Sequence, residues 1–262
     1  MRKAIQSIYK KLFRKRGTIT FSGPFPAWDK AVAASCGYDA KTITDGIMAA
    51  MDKVASGKAA MERDGFALST PQYPHGLLAA LLHVAAQNEG RLHVLDFGGS
   101  LGTSYFACKP WLSRVRDLRW TVVEQSHFID IGNRKFADGV LTFAPEIDAV
   151  PSPNFVVISG VLMYLPSPYE FLRKLLSLNA DMVVIDRTAT VPLDSDVITV
   201  QHINSVGYQA SYPCRLLSRS KLLNICTESY QCLEVFRALD GFRVKFADLQ
   251  YIGIMLAKNP LC

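Results

Sequence analysis

Residues 92–106 read LHVLDFGGSLGTSYF, an apolar run that ends on Asp96 and then breaks into Gly98, Gly99, Ser100, Leu101 and Gly102. Glycine has no Cβ, so a loop of this composition lets backbone lie close against a ligand. Three kinds of ligand compete for such a junction. A nicotinamide dinucleotide is held by G-x-G-x-x-G. Counted from Gly98, the second and third of those positions are Ser100 and Thr103, so one glycine of three matches. A phosphate in a P-loop needs Lys-Ser or Lys-Thr after the glycines, and neither follows here.

What remains is an acid and then glycines one and three residues apart, the pattern with which methyltransferases hold S-adenosylmethionine (SAM). In that pattern the glycine backbone lies against the amino-acid part of the cofactor, and the acid, here Asp96, binds its ammonium directly or through water. The next apolar run, TVVE, ends on Glu124, where a carboxylate can accept both ribose hydroxyls. Glu124 separates SAM from NAD poorly, and the glycine spacing makes the distinction. Asp96, Gly98, Gly99, Ser100, Gly102, Glu124, Gln125, Ser159 and Gly160 are therefore expected to bind the cofactor. The bland alternative is a glycine turn with a capping acid. His127 either covers the adenine or sits near a helix start, and His75 has a similar pair of readings. Met163 and Tyr164 are expected to wall the pocket.

Methyl transfer from a sulfonium is an in-line displacement with an activated donor, so the protein mainly aligns acceptor, methyl and sulfur. A hydroxyl acceptor has a high pKa and gains from a base within hydrogen-bond reach. Beyond the fourth and fifth expected strands stand Asp186, Arg187, His202 and Tyr212, the expected catalytic set. His202 is suited to act as a base near neutral pH, although a lone histidine is more often structural. Asp186 and Arg187 are either an ion pair pinning a loop or acceptor contacts, with Arg187 gripping an acidic sugar or diphosphate bidentately. No His, Asp and Glu group has metal-ligand spacing, so no metal is expected.

These residues need a scaffold that delivers them to one edge. Candidate strands are 92–97, 119–124, 154–159 and 181–186, with helices between them at 103–113, 126–136 and 168–178. Short buried strands alternating with helices imply an α/β fold, a mostly parallel sheet with helices on both faces. Ligands then bind beyond the carboxyl ends of the strands. After residue 190 the pattern loosens, with a helix near 219–229 and strands near 231–237 and 250–258. Upstream, helices are expected at 27–36, 40–56 and 75–87, and the stretch GTITFSGPFPAW (17–28) reads as a loop. The organisation expected is a basic amphipathic arm (1–20), a helical cap (21–70) and the cofactor domain (71–262).

At 262 residues and 49% hydrophobic the chain can bury a full core. The net charge is +6, but residues 1–16 carry seven Lys/Arg and no acid, and removing them leaves −1 for the rest. A nucleic-acid reader usually carries its basic face on the folded domain, so no nucleic-acid partner is expected. The arm has Ile5, Ile8, Leu12 and Phe13 at helical spacing. It is too short an apolar run for a signal peptide or a spanning helix, and reads either as peripheral membrane contact or as a solvated tail. Six scattered cysteines with no CxxC pair read as reduced thiols, consistent with a cytoplasmic protein.

The motifs also carry a resemblance. VLDFGGSLGTSYF (94–106), VVEQ (122–125), SGVLMYLPSP (159–168), VIDRT (184–188), TVQ (199–201), SYP (211–213) and the upstream PFPAWDKAVAASCGYD (24–39) are similar to a family of SAM-dependent methyltransferases encoded in bacterial surface-polysaccharide (O-antigen and capsule) gene clusters. The resemblance implies a class I, Rossmann-like methyltransferase fold, SAM as cofactor and a sugar or glycolipid acceptor. Two other readings stand beside it. One is a non-catalytic member serving as partner subunit in a glycan-assembly complex. The other is an NAD(P)-dependent sugar-modifying enzyme, disfavoured by the glycine spacing and the lack of a YxxxK pair.

Overall fold

The computed structural model describes residues 18–36, 40–205, 208–238 and 248–258. The arm 1–16, the last cysteine and the expectations attached to them lie outside the described residues. Twelve strands are present among those described: β1 (Thr18–Ser22), β2 (Met61–Arg63), β3 (Phe66–Leu68), β4 (Arg91–Phe97), β5 (Asp117–Val123), β6 (Leu141–Ala144), β7 (Phe155–Ser159), β8 (Met182–Val191), β9 (Val197–Ser205), β10 (Tyr208–Ser218), β11 (Gln231–Arg237) and β12 (Gln250–Ala257). The helices are α1 (Trp28–Ala33), α2 (Ala40–Ala55), α3 (His75–Gln87), α4 (Thr103–Cys108), α5 (Ser126–Lys135), α6 (Pro168–Leu176) and α7 (Arg219–Cys226).

Seven strands form the main sheet in the order β6-β5-β4-β7-β8-β12-β11. Numbered by their own place in the chain, they run 3-2-1-4-5-7-6. The first five are parallel, and β12 is antiparallel to both neighbours. This is the class I Rossmann-like methyltransferase arrangement. Its central strands are buried on both faces, which is why β7 reads FVVIS, apolar without alternation. One face is covered by α3, whose Leu77, Leu78, Leu81 and Val84 are buried, together with Tyr105 of α4 and Phe128 of α5. The other carries Leu172, Leu175 and Leu176 of α6 and Leu222 and Ile225 of α7.

Three strands extend this sheet. β12 occupies one edge of β8 as far as Thr190, and β7 occupies the other only to Asp186. β10 pairs in parallel with Thr190 and Val191, so it must lie on the edge that β7 vacates. β9 joins β10 antiparallel, and β1 joins β9, with Thr20 opposite His202. The ribbon β10-β9-β1 therefore stands beyond the carboxyl end of β7, where ligands of parallel sheets bind.

Three expectations are corrected. The stretch 17–28 is not all loop, because Thr18–Ser22 is β1, completing the ribbon. The segment 21–70 holds helices α1 and α2, but it also holds the hairpin β2–β3, whose Asp64-Gly65 turn has φ 50° and 80°. Two successive positive φ values make the tight turn that Asp-Gly favours. The fifth strand does not end at Asp186 but continues to Val191.

Candidate cofactor and acceptor site

Asp96 ends the buried run of β4 and is 0% exposed. Its Oδ2 accepts from the Trp120 indole of β5 at 3.0 Å, while its Oδ1 has no hydrogen-bond partner. Gly99 crosses directly over this carboxylate. A Cβ on Gly99 would lie 2.5 Å from Asp96 Oδ2, one on Gly98 would strike Val161, and one on Gly102 would lie 2.8 Å from Leu141. Gly98 and Gly102 also have φ of +70° and +90°, values that other residues adopt at a cost. Ser100 holds φ +56° without being glycine, and its buried hydroxyl has no partner. The glycines are thus required by space as well as by conformation. Burial lifts the Asp96 carboxyl from 3.8 to about 7, helped by the nearby Glu124 charge and opposed by the indole hydrogen bond.

Glu124 follows β5 directly. Its Oε1 accepts from Ser100 N at 3.3 Å and its Oε2 from Gln125 N at 2.8 Å, so it ties the glycine loop to the start of α5. Burial raises its pKa, and both backbone donors pull it back. His127, one turn along, lies against Phe128 with ring centroids 4.4 Å apart and the rings tilted by 42°, and its Nε2 is buried without a partner.

At the end of β7, Ser159 stands beside Asp186 of β8, and Gly160 N donates to the Asp186 carbonyl at 3.0 Å. Asp186 and Arg187 are a β-bulge. The pairing of β8 with β12 shifts between Ile252 and Ile254, leaving the two residues opposite Gly253 alone, and Arg187 takes φ +54°. Bulges re-aim side chains and cluster at functional edges. Asp186 Oδ1 accepts from Arg187 N at 2.7 Å, and the Arg187 guanidinium reaches Asp64 in the β2–β3 turn at 2.8 Å.

Beyond the bulge, the Tyr164 hydroxyl donates to Gln201 Oε1 at 3.1 Å, and Gln201 Nε2 donates to the Tyr212 hydroxyl at 3.4 Å. The two tyrosine rings meet edge to face at 5.1 Å. Burial holds the Tyr164 phenol far above its ordinary pKa, with Tyr212 adding to this and Arg187 opposing it. Arg187, Tyr164 and Tyr212 therefore belong to one neighbourhood, beside Asp186. His202 does not join them. Successive strand residues face opposite sides, so His202 points away from Gln201, and its Nε2 meets Ser22 Oγ at 2.8 Å. The expected four-residue set splits, with three residues on the site face and His202 on the reverse face of the ribbon.

Sequence reading missed Glu62, Asp64 and Trp120, and of the pair Gln201-His202 it favoured the histidine. The Asp64-Gly65 dipeptide is a hairpin signal that could have drawn attention to the first two. Among the described residues no group of three His, Cys, Asp or Glu is placed to hold a metal, and no helix is long and apolar enough to cross a membrane.

No protein-family model matches the chain, and no curated protein matches it. Solved structures with similar chain paths include the [4+2]-cyclase SpnF, at 14% identity over 82% of this chain and 93% of that one, with TM-score 0.49. Another is the N-terminal domain of EvdMO1 in the presence of SAH and D-fucose, at 14% identity over 85% and 98%, with TM-score 0.48. A third is SAM-bound CalS10, an amino pentose methyltransferase from Micromonospora echinaspora involved in calicheamicin biosynthesis, at 10% identity over 70% and 91%, with TM-score 0.47.

Proposed function

We propose that this chain is a SAM-dependent methyltransferase whose acceptor is a hydroxyl of a sugar or glycolipid precursor of a bacterial surface polysaccharide. The observation that carries the cofactor is the cradle after β4. Three glycines lie where any Cβ would collide, above a buried acid with an unused oxygen and beside Glu124 at the end of the next strand. The unpartnered buried oxygens of Asp96 and Ser100 fit a cofactor with a cationic amino-acid tail, and the Glu124 carboxylate fits a ribose diol. Gly98–Gly102 and Asp96 would hold the tail, and Glu124 the ribose. When bound, SAM supplies an electrophilic methyl group on a sulfonium.

The acceptor class rests on the sequence resemblance, and its seat on the polar residues beside the bulge. Asp186 is the base within that group and takes the proton of the acceptor hydroxyl. Arg187 and the Tyr164–Gln201–Tyr212 chain orient the acceptor. With His202 facing away, the base assignment moves from the imidazole to this carboxylate.

Calorimetry with SAM and NAD tests the cofactor reading. SAM binding without NAD binding is expected, and Glu124→Ala should weaken SAM about 10- to 100-fold, the cost of losing hydrogen bonds to a charged group. Binding of NAD in preference, or wild-type SAM affinity in both Glu124→Ala and Gly98→Val, would overturn it.

A further inference from the structure

The hairpin β2–β3 brings a second buried carboxylate to the glycine loop. Glu62 is 4% exposed. Its Oε1 accepts from Gly65 N at 2.7 Å, and its Oε2 accepts from the hydroxyl of Thr103, the residue after Gly102. Both donors are neutral, although an ionised carboxylate offers about four acceptor positions. Burial lifts its pKa, and the attraction of Arg187 is the weakest of the influences on it. That guanidinium is already engaged with Asp64. Asp96, on the other strand-loop segment of the same cradle, keeps one fully buried oxygen without any partner. The loop 98–103 is therefore flanked by two buried acids that receive only neutral hydrogen-bond donors. A cation bound beside them would favour their ionised forms.

Building on the SAM reading, we infer that Glu62 is a direct contact of the cofactor's α-ammonium, so that the hairpin is a wall of the cofactor pocket. The Thr103 hydroxyl fixes the carboxylate's direction, and the Gly65 amide fixes the turn that carries it. The nucleoside half of the cofactor lies with Glu124 and owes nothing to Glu62.

That division supplies the test. Calorimetry on the full chain compares S-adenosylhomocysteine, which has the amino-acid tail, with 5′-methylthioadenosine, which lacks it. Glu62→Gln keeps the side-chain shape and an acceptor for Gly65 N but removes the charge. It should weaken S-adenosylhomocysteine about tenfold or more and leave methylthioadenosine unchanged. Thr103→Val, which leaves the charge but frees its direction, should narrow the same preference by less. Equal weakening of both ligands by Glu62→Gln would make Glu62 a packing residue and overturn the inference, as would no weakening of either. Equal affinity of the wild type for the two ligands would show that the tail is not read and would end the inference with the SAM reading intact. Binding of neither ligand by the wild type ends the SAM reading itself.

Discussion

Asp96 sets a pH dependence on folding that can be worked from its surroundings. Its carboxyl titrates near 3.8 when unfolded and about 7 in the native cradle. Below pH 3.8 both states hold the proton and the residue costs nothing. Between 3.8 and 7 the unfolded chain has released the proton that the native state keeps, so raising the pH favours unfolding by about 1.4 kcal/mol per unit. Above 7 both states are ionised and the cost levels off at roughly 4 kcal/mol. Across pH 5 to 8 the ligand-free protein should therefore lose about 2–3 kcal/mol through this one group. Asp96→Asn still accepts from Trp120 but carries no charge. Its buried amide hydrogens shift stability by about 1–3 kcal/mol at every pH and leave the slope alone. Urea unfolding of both proteins at pH 5, 6, 7 and 8 isolates the slope as a difference, in which titrations common to both cancel. The variant should gain on the wild type by about 2–3 kcal/mol from pH 5 to 8. A difference that stays flat over that range would refute the reasoning, because the carboxyl would then hold one protonation state throughout.

Two further outcomes follow from the split of the expected catalytic set and from the arm. Asp186→Asn should lower kcat about 10²- to 10⁴-fold with little change in SAM affinity, whereas His202→Ala, on the reverse face of the ribbon, should cost far less; steady-state kinetics on the acceptor showing the opposite order would return the base to His202. The seven positive charges of residues 1–16, each worth about 1 kcal/mol near an anionic surface, should make the full chain co-sediment with anionic but not neutral vesicles, reversibly in salt, while a chain beginning at Thr18 should not; equal sedimentation of the two would leave the arm a solvated tail.

The parts legible in the sequence are those whose signal is local. The helix 75–87 and strands near 92–97, 119–124 and 154–159 follow from apolar runs punctuated by turn residues, and the structure places α3, β4, β5 and β7 there. The cradle was legible for the same reason, since its acid, its glycines and the next strand's Glu124 lie within thirty residues. The ribbon was not. β1 and β9 pair Thr20 with His202, across most of the chain, and nothing near TITFS announces a partner so far away. β10 contains Pro213, an uncommon strand residue, and β6 is four residues long. The bulge at Asp186–Arg187 was hidden as well, because it arises from the pairing of β8 with β12. One missed strand pairing thus misplaced one catalytic candidate: grouping His202 with Tyr212 required knowing which face of β9 turns toward Tyr164.

The pieces added to the seven-stranded sheet gather at a single edge, and their contacts suggest why. The hairpin is fastened at Glu62 to the start of α4 and at Asp64 to the bulge of β8, so it spans from the cofactor cradle to the acceptor side. The ribbon joins the far end of the same strand, through β10 on Thr190 and Val191, and meets Tyr164 through Gln201 and Tyr212. Arg187 is the residue on which these additions converge. It sits in the bulge at a positive φ, faces the hairpin with its guanidinium, and lies in the electrostatic neighbourhood of Tyr164. In the proposed reaction the sheet supplies what every SAM-dependent transfer shares, a seat for the donor. In that reading the hairpin stands against the donor at Glu62 and, two residues on, holds Arg187 of the acceptor side at Asp64.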